Sequence, residues 1–515
     1  MRHFAGLLTA MLVFCLADIG AAAEESADTK ELTKAATIEC KGAAALTDGD
    51  EITYTKIADG GSVKITSDEG ISFMYIIFDR IYGEWTLSDG MAEVVCGQNF
   101  FLHEYVDVAE LFGYLPMSLT LTFSGHDCQL SELHIFGECE VPAWVQRWEP
   151  PCEEADLLLV STHIDDEQLF FAGILPYYAG EQGLAVQVAY FTNPFTYHDR
   201  PHEQLNGLWT VGVRNYPVSG EFIDAYSETA KDAYAHQKKY GFEREDMVRF
   251  QVETIRRFRP HVIVGHDIDG EYGHGQHIIN SETLMEAVEL AADALYDTGA
   301  FSEYGVWDTP KTYIHLWKEN PIVMDWDAPL EAFDGKTAFQ VSQEGFLCHK
   351  SQQWTWFRRW MLGKNGEITK AAEIKKYSPC FYGLYRTNVG LDDIGGDMFE
   401  NIPQSYAEIK AEEIRRQEEA LAEAEKKRKE EENSAEHLTA SGEDGDGNSL
   451  DGDIGTGGEG SGEKASGETA QHGLAEADKG ESISLIPIVI FLAASAIVIA
   501  LSIVLFMLGR RRKKG

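Results

Sequence analysis

The sequence predicts an α/β protein. A doubly wound, mostly parallel sheet carries the chemistry; a β-sandwich precedes it, and a charged helix, a disordered linker and one transmembrane helix follow. Three observations predict this. The run Leu157-Leu158-Leu159-Val160 is apolar without alternation, as a parallel strand covered on both faces must be. Strand-like and helix-like runs then alternate as far as Ile402, the rhythm of βαβ units. Before them, short β-rich runs are separated by Gly and Asp, the pattern of a sandwich.

The chain has 515 residues, 44% of them hydrophobic, and a formal net charge of −42. That acidic balance argues against nucleic acid as a partner, since nucleic acid requires basic grooves. Residues 1–23 read as a secretory signal: Arg2 and His3, an apolar run from Gly6 to Leu16, and small residues at Ala21-Ala22-Ala23. Residues 24–149 form the sandwich, with strands expected at 62–66, 72–78, 118–123 and 130–136. Trp85, Tyr82 and His103 are its candidate sugar contacts if exposed, and ordinary core residues if not. Pro142, Pro150 and Pro151 mark its boundary and make a short, stiff connection.

Residues 152–402 form the α/β domain. Strands are expected at 157–160, 184–191 and 262–264, and helices at 167–178, 201–211 and 245–258. Past it, residues 405–437 are rich in Glu, Lys, Arg and Ala. Glu412 with Arg416 and Glu423 with Lys427 make favourable i,i+4 pairs, and no apolar stripe is sustained, so a solvated single helix is expected. Residues 438–482, dominated by Gly, Ser, Asp and Glu, read as a disordered linker. Residues 483–508 are apolar, uncharged and long enough to span a bilayer; the basic tail 509–515 follows, which places it in the cytoplasm and the domains outside the cell. The absence of any Asn-x-Ser/Thr sequon favours a bacterial membrane. An extracellular setting permits disulfides, and Cys348 with Cys380 is the natural pair of the second domain.

Two polar clusters each follow a buried strand, where ligands gather in open α/β sheets. The first is His163-Ile164-Asp165-Asp166-Glu167. A carboxylate three residues after a histidine can reach the same ion. Two adjacent acids repel, and a cation on Asp166 with Asp165 left free as a base resolves the conflict. The second is His266 to His277, with three histidines and two aspartates in a dozen residues.

These clusters resemble the two motifs of the PIG-L/LmbE family of metal-dependent N-acetylglucosamine deacetylases. His163-Ile164-Asp165-Asp166-Glu167 is similar to its His-Pro-Asp-Asp-Glu, and Tyr272-Gly273-His274-Gly275-Gln276-His277 to its Tyr-Gly-His-Pro-Asp-His. Thr192-Asn193 with Arg200 and Glu203 resembles its substrate loop, and Lys336 with His349, Ser351 and Gln352 its C-terminal helix. Departures are Ile164, Gly275 and Gln276. The resemblance implies a Rossmann-like domain with metal ligands His163, Asp166 and His277, for Zn2+ or another divalent ion such as Fe2+. The set leaves a position open for water, as catalytic zinc sites do. Asp165 is then the general base, His274 and Tyr272 act on the amide as it reacts, and Arg200 holds substrate hydroxyls, its alternative being a surface ion pair with Glu203. His349 is expected to pack a helix near the site. The implied partner is an N-acetylated sugar or glycan, and the implied reaction is hydrolysis of its N-acetyl group at the cell surface. Two other classes share these residue types: a catalytically silent glycan-binding protein, and a non-haem iron oxygenase using His163, Asp165 and a later histidine.

Overall fold

The computed structural model describes residues 30–299 and 304–440, with side chains as far as Lys429. The expected signal, the membrane helix at 483–508, the basic tail and nearly all of the linker lie outside these residues. Among the described residues no helix is long and apolar enough to cross a membrane.

The first nine strands are β1 (Thr37–Glu39), β2 (Thr55–Ile57), β3 (Ser62–Thr66), β4 (Phe73–Phe78), β5 (Trp85–Ser88), β6 (Glu93–Cys96), β7 (His103–Asp107), β8 (Ser118–Thr122) and β9 (Cys128–Phe136). They build two antiparallel sheets, in the orders β1-β3-β8-β5-β6 and β2-β9-β4-β7. Strict alternation in β3 and β8 turns Val63, Ile65, Leu119 and Leu121 inward, and Met74, Ile76, Leu133 and Ile135 of the other sheet enter the same core. β4 is buried along its whole length, because Val145 covers the opposite face of the sheet over Phe73, Tyr75 and Ile77. Trp85, Tyr82 and His103 are all buried, so they are core residues and not sugar contacts.

The second sheet system contains β10 (Leu157–Ser161), β11 (Val186–Thr192), β12 (Val218–Phe222), β13 (Val262–Gly265), β14 (Lys311–His315), β15 (Pro321–Val323) and β16 (Phe381–Thr387). Their order is β12-β11-β10-β13-β14-β16-β15. The strands from β12 to β14 are parallel, and β16 runs antiparallel between β14 and β15. The order reverses between β10 and β13, and a crevice opens at such a reversal beyond the carboxyl ends of the strands. Both polar clusters follow those two strands. Successive residues of β10 enter opposite cores, as the two-residue period of a strand requires. Leu157 and Leu159 face one side, while Leu158 and Val160 face the other with Val252 and Ile255.

The described α-helices are α1 (Val108–Phe112), α2 (Asp166–Leu169), α3 (Arg200–Thr210), α4 (Ala230–Lys239), α5 (Arg244–Phe258), α6 (Gly275–Ala292), α7 (Ala338–Cys348), α8 (Trp356–Leu362) and α9 (Tyr406–Ala440). The helix expected over 167–178 is broken. α2 spans one turn, and a wide helical turn resumes only at Pro176–Glu181. Gly173 between them has φ +98°, and a Cβ there would lie 2.4 Å from the buried Trp326 ring. The apolar run therefore bends around an indole instead of continuing. β12, α4 and the strands after β13 were not anticipated; they are short or mix polar with apolar residues.

All seven described cysteines are free thiols, so the expected Cys348–Cys380 bridge is absent. Cys348 lies instead 3.5 Å from the Thr210 hydroxyl. The two-sheet unit packs on α3 and its flanks. Phe101 stacks on Tyr216 at 4.8 Å, Trp148 meets Trp209 edge-on at 5.5 Å, and His103 Nε2 lies 2.8 Å from His202 Nδ1. Burial pushes both of these histidines down to about 3, so they bridge the units uncharged. The described residues up to Glu432 form one compact unit. α9 starts with Tyr406 stacked on His261 at 4.1 Å, and its later side chains are exposed, with the Glu412–Arg416 and Glu423–Lys427 pairs formed at 2.9 and 3.0 Å.

Candidate metal centre

The loop after β10 places His163 and Asp166 on a tight turn. Asp166 Oδ2 accepts from the His163 N–H at 2.8 Å, which folds the carboxylate back beside the imidazole of the same residue. The loop after β13 leads into α6, whose first turn carries His277. Three acceptor atoms meet: His163 Nδ1 is 3.1 Å from Asp166 Oδ2 and 3.2 Å from His277 Nε2, and His277 Nε2 is 3.2 Å from Asp166 Oδ2. A tetrahedral ion with bonds of about 2.0–2.1 Å has ligand atoms roughly 3.3–3.4 Å apart. The triangle is therefore one face of such a coordination shell, and the residues fit a metal.

Other nitrogens nearby are already engaged. His266 Nε2 lies 3.6 Å from Asp166 and forms a second cluster with Asp166 and His277. Its lone pair, however, accepts from the Thr162 N–H at 3.0 Å. His274 groups with His163 and His277, but its Nδ1 caps α6 by accepting from the Gln276 N–H at 3.1 Å. That bond fixes the tautomer and leaves Nε2–H as a donor. Burial and the neighbouring imidazoles push His274 far below the ordinary histidine range, so it stays neutral.

A second ring of contacts orients the three donors. His277 Nδ1 donates to Glu271 Oε2 at 2.6 Å, and the same carboxylate receives His266 Nδ1 at 2.8 Å and His315 Nδ1 at 2.6 Å. His163 Nε2 donates to Gln276 Oε1 at 3.0 Å, which orients that ring. Glu271 was not singled out in the sequence; it stands one residue before the second motif, and its role depends on His315, 44 positions away.

Asp165 is buried beside this triangle with φ +147°, a strained backbone for a non-glycine residue. Burial pushes its carboxyl up to about 6, against the pull of Arg200. Asp166 is held well below the carboxylate range; burial opposes this, and His277 and His163 outweigh it. The two adjacent acids are thus driven apart, the condition for giving them different tasks. Burial would also lower His277, but Asp166 and Glu271 raise it to about 10. Tyr272 lies against His274 and His277, at ring distances of 5.4 and 5.6 Å.

Arg200 forms the expected ion pair with Glu203, but not at the surface. It is buried, and the pair measures 3.4 Å. Its terminal nitrogens also meet Asp165 Oδ1 at 3.4 Å, Ser351 Oγ at 3.3 Å and the Ile164 carbonyl, so the guanidinium is engaged by protein groups. His349 is fully buried, 3.5 Å from Glu167, consistent with packing. Lys336 pairs with Glu344 at 2.8 Å. Asp224, which the sequence did not flag, lies 3.6 Å from His163 Nε2 with its side chain 31% exposed.

No family model matches the chain. Among curated proteins it is similar to 1D-myo-inositol 2-acetamido-2-deoxy-alpha-D-glucopyranoside deacetylase 2 of Saccharopolyspora erythraea, 32% identical over 163 residues, which are 32% of this chain and 49% of that protein. It is also similar to the corresponding deacetylase 1 of Catenulispora acidiphila, 29% identical over 207 residues, 36% of this chain and 62% of that protein. The chain thus spans about half the length of the first of these relatives and less than two thirds of the second. Among solved structures, N,N'-diacetylchitobiose deacetylase from Pyrococcus horikoshii aligns over 46% of this chain and 86% of its own, with 13% identity and a TM-score of 0.30.

Proposed function

The second domain belongs to the PIG-L/LmbE family, and from that premise we propose that the protein is a zinc-dependent hydrolase removing the N-acetyl group from an N-acetylglucosamine-type sugar. The observation that carries this reading is the triangle of His163 Nδ1, Asp166 Oδ2 and His277 Nε2 with Asp165 next to it. The relatives named above are deacetylases of an acetamido sugar, which supports the same substrate class.

His163, Asp166 and His277 would hold the zinc, which when bound would lower the pKa of a water toward about 7 and act as a Lewis acid for the amide carbonyl. Asp165 takes the proton of the attacking water and returns it to the departing amine. Arg200, anchored by Glu203 and Ser351, sets the direction of the Asp165 carboxylate; it is a positioning residue. His274 offers its Nε2–H to the amide oxygen as negative charge grows there, and Tyr272 packs against it and adds a second donor. The oxygenase alternative is not favoured: Asp166, not Asp165, joins the histidines, and the sheet is mostly parallel.

The two-sheet unit we read as a β-sandwich that packs against the catalytic domain. The proposal extends to placement: a cleaved signal at 1–23 and a membrane anchor at 483–508 would hold the enzyme outside a bacterial cell. Acetate release from a panel of N-acetylhexosamines, with and without chelator, tests the activity. Release that survives chelation overturns the metal; no release from any sugar that binds would leave a silent glycan-binding protein.

A further inference from the structure

Resting on that reading, we propose that the site is the middle of an extended cleft for a linear, uncharged or amino-bearing oligosaccharide, whose sugars flanking the acetylated unit stack on Tyr226 and Trp356. Four aromatic rings form a continuous arc. Tyr226 meets His274 at 5.2 Å, His274 meets Tyr272 at 5.4 Å, and Tyr272 meets Trp356 at 5.6 Å, each contact edge to face. The inner pair stands over the metal centre. The outer pair is open to solvent, Tyr226 63% exposed and Trp356 47%, and Trp354 beside it is 84% exposed. Scattered exposed aromatics are ordinary, but exposed rings in direct contact with the buried His274 and the half-buried Tyr272 mark a ligand groove.

Both outer rings are held rigidly. Trp356 is backed by Phe357 at 4.4 Å and Trp360 at 6.2 Å. The loop carrying Tyr226 is stitched to the start of α6: the Gly275 N–H donates to the Ser227 carbonyl at 2.7 Å, Gln276 Nε2 donates to the Ile223 carbonyl at 2.6 Å, and the Ala225 N–H donates to Gln276 Oε1 at 3.0 Å. A Cβ on Gly275 would lie 2.4 Å from the Thr229 carbonyl, so only glycine admits this loop. Gly275 and Gln276, the two departures within the second motif, are thus the positions that seat Tyr226. Rigid aromatic faces bind the C–H face of a pyranose while its hydroxyls stay in water, at little cost in side-chain entropy. The carboxylate of Asp224, partly exposed and 3.6 Å from His163 Nε2, disfavours anionic sugars and favours a free amine.

The test uses the zinc-loaded full chain. Binding of N-acetylglucosamine and of its β-1,4- and β-1,6-linked tri- and pentasaccharides is measured on an Asp165→Asn background, and acetate release on the wild type. At least one pentasaccharide is expected to bind tenfold or more tightly than the monosaccharide. Tyr226→Ala and Trp356→Ala should each lose three- to tenfold on that oligosaccharide, Trp356→Phe should recover most of it, and Trp354→Ala, at an exposed position, should weaken it without disturbing the fold. Affinities that do not grow with chain length in either linkage, or that survive both alanine changes, overturn the cleft. Chain-length dependence without acetate release would remove the deacetylase reading and leave the cleft; release without it would do the reverse.

Discussion

At Glu271 one carboxylate holds three imidazoles, those of His266, His277 and His315. Only the anion can accept from all three, and they hold it well below the ordinary glutamate range although burial opposes this. Glu271→Gln should therefore lower zinc affinity by about 10–100-fold and lower Tm, read by competitive metal titration and thermal melting. Asp165→Asn should keep the metal and lose about 10²–10⁴-fold in turnover, since the ligands remain and the base is gone. Metal content and rate measured on one sample check this; loss of metal would mean that Asp165 and Asp166 have exchanged roles. The sign of the pH dependence follows from Asp165. Its carboxyl works as the anion and is raised to about 6, so kcat/KM should fall as pH drops through 6, or lower once the cation on Asp166 stabilises the anion. His277, raised to about 10 in the metal-free site, must lose its proton to ligate. Zinc binding at pH 7.5 should then release at least one proton and tighten as pH rises, which calorimetry in buffers of different ionisation enthalpy measures.

Among the elements, those with a single period were legible in the sequence. β3, β10, β13, α3 and α5 lie within a residue or two of expectation, because their apolar pattern answers to one sheet face or one core. The two clusters that bring His163, Asp166 and His277 together were legible because each follows the end of a buried strand. What escaped depends on distant partners: the break after α2 on Trp326, the Glu271 hub on His315, and the true surroundings of Arg200 on Asp165 and Ser351. Such contacts leave no mark in local spacing. Gly173→Ala measures the first. It adds a Cβ against a buried indole at a positive φ, and should cost about 2–4 kcal/mol, seen in denaturant unfolding.

Over the whole described molecule, the two sheet systems share one continuous core, with Phe101 on Tyr216 and Trp148 on Trp209 and Tyr216 at the seam. Deleting residues 24–149 should therefore yield an aggregating protein and not a smaller active enzyme, judged by light scattering and by acetate release on soluble material. That shared core has an evolutionary consequence. A binding module strung on a flexible tether can be gained, lost or shuffled between genes without harm to its neighbour. A module whose inner residues complete its neighbour's interior cannot. The two parts are bound to change together, each substitution at Trp148 or Tyr216 answered across the seam. A thermal scan should accordingly show one cooperative transition for both, and a protease should find no point between them at which to release either one intact.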